Sequence, residues 1–159
     1  KKITPNDLKK TGWKETVRNL KELIKNFEKN NMLPVVIFVF SKQKIKELTN
    51  SLLMSSFNLS TKNESGKITA FFNSALKSLK PSDRELPQFI ELRDMLQKGF
   101  AMHHGDLLPL GKEIVEILFS DGLVKVLFAT ETFAMGINMQ AKTVVFYGLK
   151  KHDGTELRW

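Results

Sequence analysis

The sequence contains no cysteine among its 159 residues. That excludes disulfide bonds, thiolate zinc sites and a cysteine nucleophile, and it suits a reducing intracellular compartment. Long hydrophobic runs are also missing: the longest, residues 33–40, is too short to span a membrane, and no signal-peptide pattern opens the chain. With 42% hydrophobic and 26% charged residues, the composition is that of one ordinary globular domain.

Acidic residues are comparatively few, with 17 Asp and Glu against 25 Lys and Arg, which gives a net charge of +8. Such an excess of positive charge favours a polyanionic partner such as a nucleic acid. A lysine-rich soluble surface has the same composition, so charge alone leaves both interpretations open. The chain starts at Lys1 and stops at Trp159 within a polar stretch. We therefore expect a domain excised from a larger protein.

The apolar pattern predicts alternating helices and strands. Residues 35–40 are all apolar and mostly branched, which is typical of a strand buried on both faces of a parallel sheet. Residues 57–98 carry no strand signal and predict helices that either cover the sheet or form an insertion. The predicted strands are residues 35–40, 99–103, 124–129 and 143–147. The predicted helices are residues 14–30, 42–55, 67–79, 86–97 and one that begins at Pro109 and ends before Gly122.

This order predicts an α/β fold with a parallel sheet and helical crossovers. In such sheets ligands bind outside the carboxyl ends of the strands. The residues that follow the predicted strands are therefore expected to gather at one edge of the sheet. They are Ser41, the group His104, Gly105 and Asp106, the group Thr130, Glu131 and Thr132, and Gly148.

Hydroxyl groups follow two of these strands. Ser41 precedes a predicted helix, so its hydroxyl is suited to capping that helix, to binding a phosphate oxygen, or to both. Thr130 is suited to donating to a nucleic-acid phosphate, and Gly136 and Asn138 close the loop after it, where the glycine leaves room for a nucleotide. An ordinary strand–loop–helix connection would contain the same residues. The pattern alone leaves both interpretations open.

Two adjacent histidines end the strand at residues 99–103. A shared metal site is not expected, because neighbours in sequence are not spaced for it and the third histidine, His152, is far away. Adjacent strand residues point to opposite faces, so we expect one of His103 and His104 in the core and the other available at the loop. Gly105 allows a sharp turn or the close approach of a ligand.

Segments across the chain resemble motifs of the Ski-type, exosome-associated DExH RNA helicases. The similarity is continuous over about residues 99–159 and thinner over residues 33–56. The matching segments are residues 38–41 (motif IV), residues 103–109 (HHGDLLP, resembling the HHGGLLP element), residues 127–138 (motif V), residues 141–146 (the following strand) and residues 151–154 (the start of the hairpin before motif VI). Their order makes the resemblance specific.

The resemblance implies a fold and a set of roles. Residues 1–159 would form the helicase C-terminal domain, which is the second RecA-like domain, with a P-loop NTPase-like parallel sheet flanked by helices, truncated before motif VI. The carried-over roles are RNA-backbone binding for Ser41, His104, Gly105 and Thr130, and a place in the nucleotide cleft for Gly136 and Asn138. A strand-separating hairpin would involve Lys150, Lys151, His152, Asp153, Gly154 and Arg158, with its second strand missing.

The sequence departs from the family at two positions. Asp106 stands where the family has a second glycine, and Gln140 stands where a proline is usual. A carboxylate that faces an RNA channel would repel phosphate. Asp106 would instead be accommodated if it pairs with a nearby Lys or Arg, or if it caps the following turn.

The sequence contains no Gly-x-x-x-x-Gly-Lys-Ser/Thr phosphate loop and no DExH box, so this chain alone is expected to be inactive. ATP with Mg²⁺ would be held mainly by the missing first RecA-like domain. The expected partners are single-stranded RNA, that first domain and an exosome-associated complex, with no membrane. A cytoplasmic location is expected because residues 134–136 and 151–154 look closer to the superkiller branch of the family, and a nuclear location is the alternative. A nucleic-acid-binding scaffold without ATPase coupling and a related DNA repair helicase remain open.

Overall fold

The computed structural model describes residues 5–130, 141–150 and 154–158, with side chains described for residues 12–130 and 141–147. Within these residues the helices are α1 (Pro5–Lys29), α2 (Lys42–Leu53), α3 (Lys62–Leu76), α4 (Pro87–Gln97) and α5 (Pro109–Ser120), with a 3₁₀ turn at Asp83–Glu85. The strands are β1 (Val35–Val39), β2 (Phe100–His103), β3 (Val126–Ala129), β4 (Thr143–Lys150) and β5 (Gly154–Arg158). The predicted alternation of helices and strands is confirmed.

The strands form one sheet in the order β2-β3-β1-β4-β5. The first four strands are parallel, and β5 runs antiparallel to β4. In the parallel part, Val35 lies between Val126 and Thr143, which fixes the register of the three central strands. The carboxyl ends of β2, β3 and β1 therefore lie side by side.

One face of the sheet packs against α1 and α2. Alternate residues of β1, namely Val35, Ile37 and Val39, point to this face, because successive side chains of a strand alternate. The stripe of apolar residues on α1 that predicted an amphipathic helix includes Leu20 and Ile24, and both are fully buried here.

The opposite face packs against α3, α4 and α5. Val36 and Phe38 of β1 point to it and join Phe72 of α3, Phe89 of α4 and Phe119 of α5 in a second buried cluster. All five strand residues of β1 are buried, as predicted for a strand with both faces covered. The helices within residues 57–98 thus cover one face of the sheet.

Two expectations about the end of the chain were wrong. Gly148 does not follow the strand but lies inside β4, where it pairs with Glu156 of β5. The second strand of the hairpin, expected to be missing, is β5, and its pairing runs from Phe146 with Arg158 to Lys150 with Gly154. The strand signal stops at residue 147 because Gly148 and Lys150 interrupt the apolar run, and the strand continues through them by antiparallel pairing with β5. Among the described residues, no helix is long and apolar enough to cross a membrane.

Candidate nucleic-acid interface

The carboxyl ends of three parallel strands bring the predicted site residues to one edge of the sheet. Thr130 follows β3, which lies between β2 and β1, so its place is between the loop that contains His104 and the loop that contains Ser41. The backbone N–H of Thr130 donates a hydrogen bond to the carbonyl oxygen of His103 at 3.3 Å. The structure thus brings Ser41, His104 and Thr130 to one edge, as predicted, whereas Glu131 and Thr132 of the same predicted group lie outside the described residues.

Ser41 caps helix α2. Its backbone is extended, and its hydroxyl oxygen accepts a hydrogen bond from the backbone N–H of Lys44 at 3.2 Å. This is the capping role that the sequence predicted, and it leaves the hydroxyl hydrogen able to donate to another acceptor. The first turn of α2 contains no acidic residue, so its N-terminus keeps the partial positive charge of the helix dipole.

Both histidines of the pair are buried, which corrects the expectation that one would be available at the loop. The exposed fraction is 0% for His103 and 2% for His104. Strand β2 ends at His103, so the alternation that placed the two rings on opposite sides no longer applies at His104. His104 turns inward, and its Nδ1 accepts a hydrogen bond from the backbone N–H of Asp106 at 3.2 Å. Its Nε2 is buried without a hydrogen-bond partner among the described residues.

The loop after β2 is held from α4 by the side chain of Gln88. Gln88 Nε2 donates to the carbonyl oxygen of Asp106 at 3.2 Å, and Gln88 Oε1 accepts from the backbone N–H of Leu108 at 2.7 Å. Gly105 is exposed, and a Cβ added there would meet nothing within 4 Å. The loop is therefore anchored on its inner side and open on its outer side.

Asp106 forms an ion pair with Lys42, at 3.1 Å between Oδ1 and Nζ. Pairing with a lysine was one of the alternatives that the sequence left open for this residue. The hydrogen bond and positive charge of Lys42 hold the pKa of Asp106 below its ordinary value. Lys42 is the first residue of α2, so the pair joins the loop after β1 to the loop after β2, across the end of β3.

Positive charge surrounds the buried histidines. Burial lowers the pKa of His104, and Lys46, Lys42 and Lys112 lower it further, while Asp106 acts in the opposite direction. Burial lowers the pKa of His103 to about 3, with further contributions from Lys112 and His104. Both rings are thus held neutral, while lysines supply the positive charge of this edge.

Sequence reasoning missed two residues of this edge. Lys42 was not singled out, although it directly follows Ser41 in the sequence. Gln88 lies on α4, 18 residues before Asp106 in sequence, and no local pattern marks it as a partner of the loop. Only the packing of α4 beside β2 brings it there.

The remaining predicted site residues lie wholly or partly outside the described part of the chain. Gly136 and Asn138, expected in a nucleotide cleft, lie outside the described residues, as do Lys151, His152 and Asp153 of the hairpin. Lys150, Gly154 and Arg158 are described only through the backbone pairing of β4 with β5.

The sequence of the chain is similar to those of known proteins. Residues 53–157 match the helicase conserved C-terminal domain family. The chain is 46% identical over 137 residues to the antiviral helicase SKI2 of Saccharomyces cerevisiae, which covers 86% of this chain and 10% of that protein. It is 48% identical over 136 residues to superkiller complex protein 2 of Homo sapiens, and the match covers 86% of this chain and 11% of that protein. It is 43% identical over 141 residues to the exosome RNA helicase MTR4 of Homo sapiens, and the match covers 89% of this chain and 13% of that protein.

The fold is therefore a helicase C-terminal domain of the RecA-like α/β class. The chain belongs to the helicase conserved C-terminal domain family, and its resemblance to the Ski-type DExH RNA helicases is confirmed. It spans between 10% and 13% of the length of the relatives named above.

Proposed function

We propose that this chain is the second RecA-like domain of an ATP-dependent RNA helicase, and that the edge formed by the ends of β2, β3 and β1 binds the backbone of single-stranded RNA. The observation that carries the proposal is the convergence of Ser41, Thr130 and the loop after His104 on one lysine-rich edge. Hydroxyls, backbone N–H groups and lysines are the groups that proteins use for phosphate contacts.

Ser41 and Thr130 are the proposed donors to phosphate oxygens. The Ser41 hydroxyl lies at the N-terminus of α2, where backbone N–H groups and the helix dipole favour an anion. Such contacts do not distinguish bases, so little sequence preference is expected. A role in exosome-linked RNA decay is proposed from the superkiller and exosome names of the relatives. A cytoplasmic location, with a nuclear one as the alternative, is proposed on the same basis.

The burial of His104 changes its proposed role. We assign its ring to holding the loop, through the bond to the Asp106 backbone, instead of to touching RNA. Gly105 is the proposed point of approach, because it is exposed and the space beside it is open.

The hairpin of β4 and β5 is proposed to part a duplex ahead of the RNA-binding edge. Lys150 pairs with Gly154 at its turn end, and Arg158 pairs with Phe146 at its base. Lys151, His152 and Asp153, which lie outside the described residues, are proposed to act in the same strand separation.

ATP with Mg²⁺ is the implied cofactor, and the described residues do not fit it by themselves. The sequence has no phosphate loop, and no group of three or more His, Asp or Glu among the described residues is arranged to hold a metal ion. We therefore propose that a first RecA-like domain holds the nucleotide, and that Gly136 and Asn138 line the facing wall of the cleft.

The RNA-binding edge is tested by substitutions that remove one hydroxyl each. Thr130→Val and Ser41→Ala should each weaken binding of a uridine-rich single strand by roughly tenfold to a hundredfold, since a hydrogen bond to a charged group contributes about 1.5–3 kcal/mol. Fluorescence anisotropy at low salt measures the affinity, and a DNA strand of the same sequence tests the alternative of a DNA helicase.

Two matched controls separate binding from stability. Thr143→Val removes a hydroxyl that donates to the Met32 carbonyl at 2.8 Å at the opposite edge of the sheet. Thr61→Ala removes the cap of α3, as Ser41→Ala removes that of α2. Both controls should lower the free energy of unfolding without changing RNA affinity. Equal losses of affinity in controls and test variants would contradict the proposed interface.

A further inference from the structure

The ion pair between Lys42 and Asp106 crosses the edge at which RNA is proposed to bind. It joins the loops after β1 and β2, and the end of β3 with Thr130 lies between those strands. Both side chains are about half exposed, at 49% for Lys42 and 57% for Asp106. A backbone phosphate that reaches Ser41 or Thr130 therefore arrives beside this pair.

The two partners of the pair differ in how firmly they are held. Asp106 is fixed through its backbone, because its N–H donates to His104 and its carbonyl accepts from Gln88. Lys42 reaches it with a flexible four-carbon stem from the first turn of α2. The carboxylate is thus a fixed acceptor, and the amine is the partner that is free to turn to another anion.

The surroundings favour such an exchange. Lys46 and Lys112 act on His104 together with Lys42, so the loop lies in a field of positive charge, and Asp106 is the acidic group that opposes them there. An exposed ion pair contributes little to stability, because water screens it and two long side chains must be ordered. Breaking the pair in favour of a phosphate therefore costs little.

We propose that Lys42 binds an RNA phosphate, and that the carboxylate of Asp106 occupies its amine until RNA displaces it. The proposal rests on the proposed RNA-binding edge and deepens it. The carboxylate of Asp106 thus competes with an RNA phosphate for the amine of Lys42. It weakens binding to any polyanion and makes RNA affinity depend on the Lys42–Asp106 contact.

The test measures the affinity of a uridine-rich single strand for the chain and for four variants across a salt series. Asp106→Asn removes the charge and keeps the shape, and we expect it to tighten binding by roughly threefold to tenfold at low salt, with the gain fading as salt screens it. Lys42→Met should weaken binding and reduce the slope of log affinity against log salt by about 0.7, the value for one phosphate contact with a single strand. Asp121→Asn, at the far end of α5, is the matched charge control and should change little.

The double variant Lys42→Met with Asp106→Asn decides between competition and general repulsion. If Asp106 competes for Lys42, most of the gain from Asp106→Asn disappears in the Lys42→Met background. A gain of the same size in both backgrounds overturns the proposal, as does a neutral result for both single variants. In those cases the losses in Thr130→Val and Ser41→Ala would still support the RNA-binding edge. If those variants lose no affinity either, the proposed edge fails and this inference fails with it.

Discussion

At the residue scale, strand alternation accounts for the burial of one histidine of the adjacent pair but not for the burial of the other. The alternation rule predicted that one ring would be in the core, and His103, which is still part of β2, is buried there. It wrongly predicted that the other ring would be available at the loop, because His104 lies beyond the strand and its ring is buried, where it accepts a hydrogen bond from the Asp106 N–H. The position of a loop side chain is set by its hydrogen-bond partners, and those partners are not visible as a periodic pattern.

The buried His103 predicts a loss of stability in mild acid. The unfolded chain takes up a proton on this residue near pH 6.5, whereas burial lowers the pKa in the folded protein to about 3. Between these values the unfolded state binds more protons, so the free energy of unfolding falls as the pH drops, by about 1.4 kcal/mol per pH unit for one proton. Glu116 lies 3.4 Å from the Nε2 atom, and the pKa of His103 is nevertheless lowered, by burial first and by Lys112 second.

Chemical denaturation of the chain and of His103→Gln at pH 7 and pH 5 checks this. The loss of unfolding free energy between the two pH values should be smaller in His103→Gln by about 2 kcal/mol, the amount for one proton over that interval. His104, whose pKa is also lowered by burial, remains in both proteins and does not affect the difference. An identical pH dependence in the two proteins would mean that the pKa of His103 is the same in the folded and unfolded states, which would contradict this prediction.

At the element scale, the connection from α4 to β2 depends on a glycine. Gly99 has a φ of +90°, and a Cβ there would lie 2.9 Å from Ser60 Oγ and 3.1 Å from Leu59 Cβ. The sequence predicted a strand that begins at residue 99, but the strand begins at Phe100 and Gly99 makes the turn into it. A short apolar run locates such a strand because both of its faces are buried, whereas its exact start depends on neighbours that are distant in sequence.

Three glycine-to-alanine variants should separate backbone strain from steric contact. Gly66→Ala, exposed within α3 with nothing near its Cβ, should stabilise the protein by about 0.5–1 kcal/mol. Gly122→Ala, with a φ of +78° and open space, should cost about 1–2 kcal/mol from strain alone. Gly99→Ala should cost clearly more, because the clash with residues 59 and 60 adds to the strain. Urea denaturation gives the three values, and equal costs for Gly99→Ala and Gly122→Ala would show that the clash relaxes freely.

At the scale of the whole molecule, the fold and the gathering of the site loops were predictable, and the details of the edge were not. Apolar runs such as residues 35–40 indicate parallel strands, and parallel strands bring their carboxyl ends together whatever the side chains are. The contact between Lys42 and Asp106 depends on the strand order, with β3 inserted between β2 and β1. That order is a property of the assembled sheet.

The chain as a whole is predicted to bind RNA without hydrolysing ATP. Phosphoryl transfer depends on positioning and charge stabilisation by a phosphate loop, a metal site and an arginine. The sequence contains no phosphate loop, whereas Ser41, Thr130 and the Lys42–Asp106 pair of the proposed RNA-binding edge all lie within the described residues. Phosphate release by purified residues 1–159, with and without RNA, should therefore match a protein-free control. The same preparation should bind single-stranded RNA at low salt, and Thr130→Val should reduce that binding. RNA-stimulated phosphate release by the chain alone would contradict the proposal that a first RecA-like domain holds the nucleotide, because it would place a complete ATP site within this one domain.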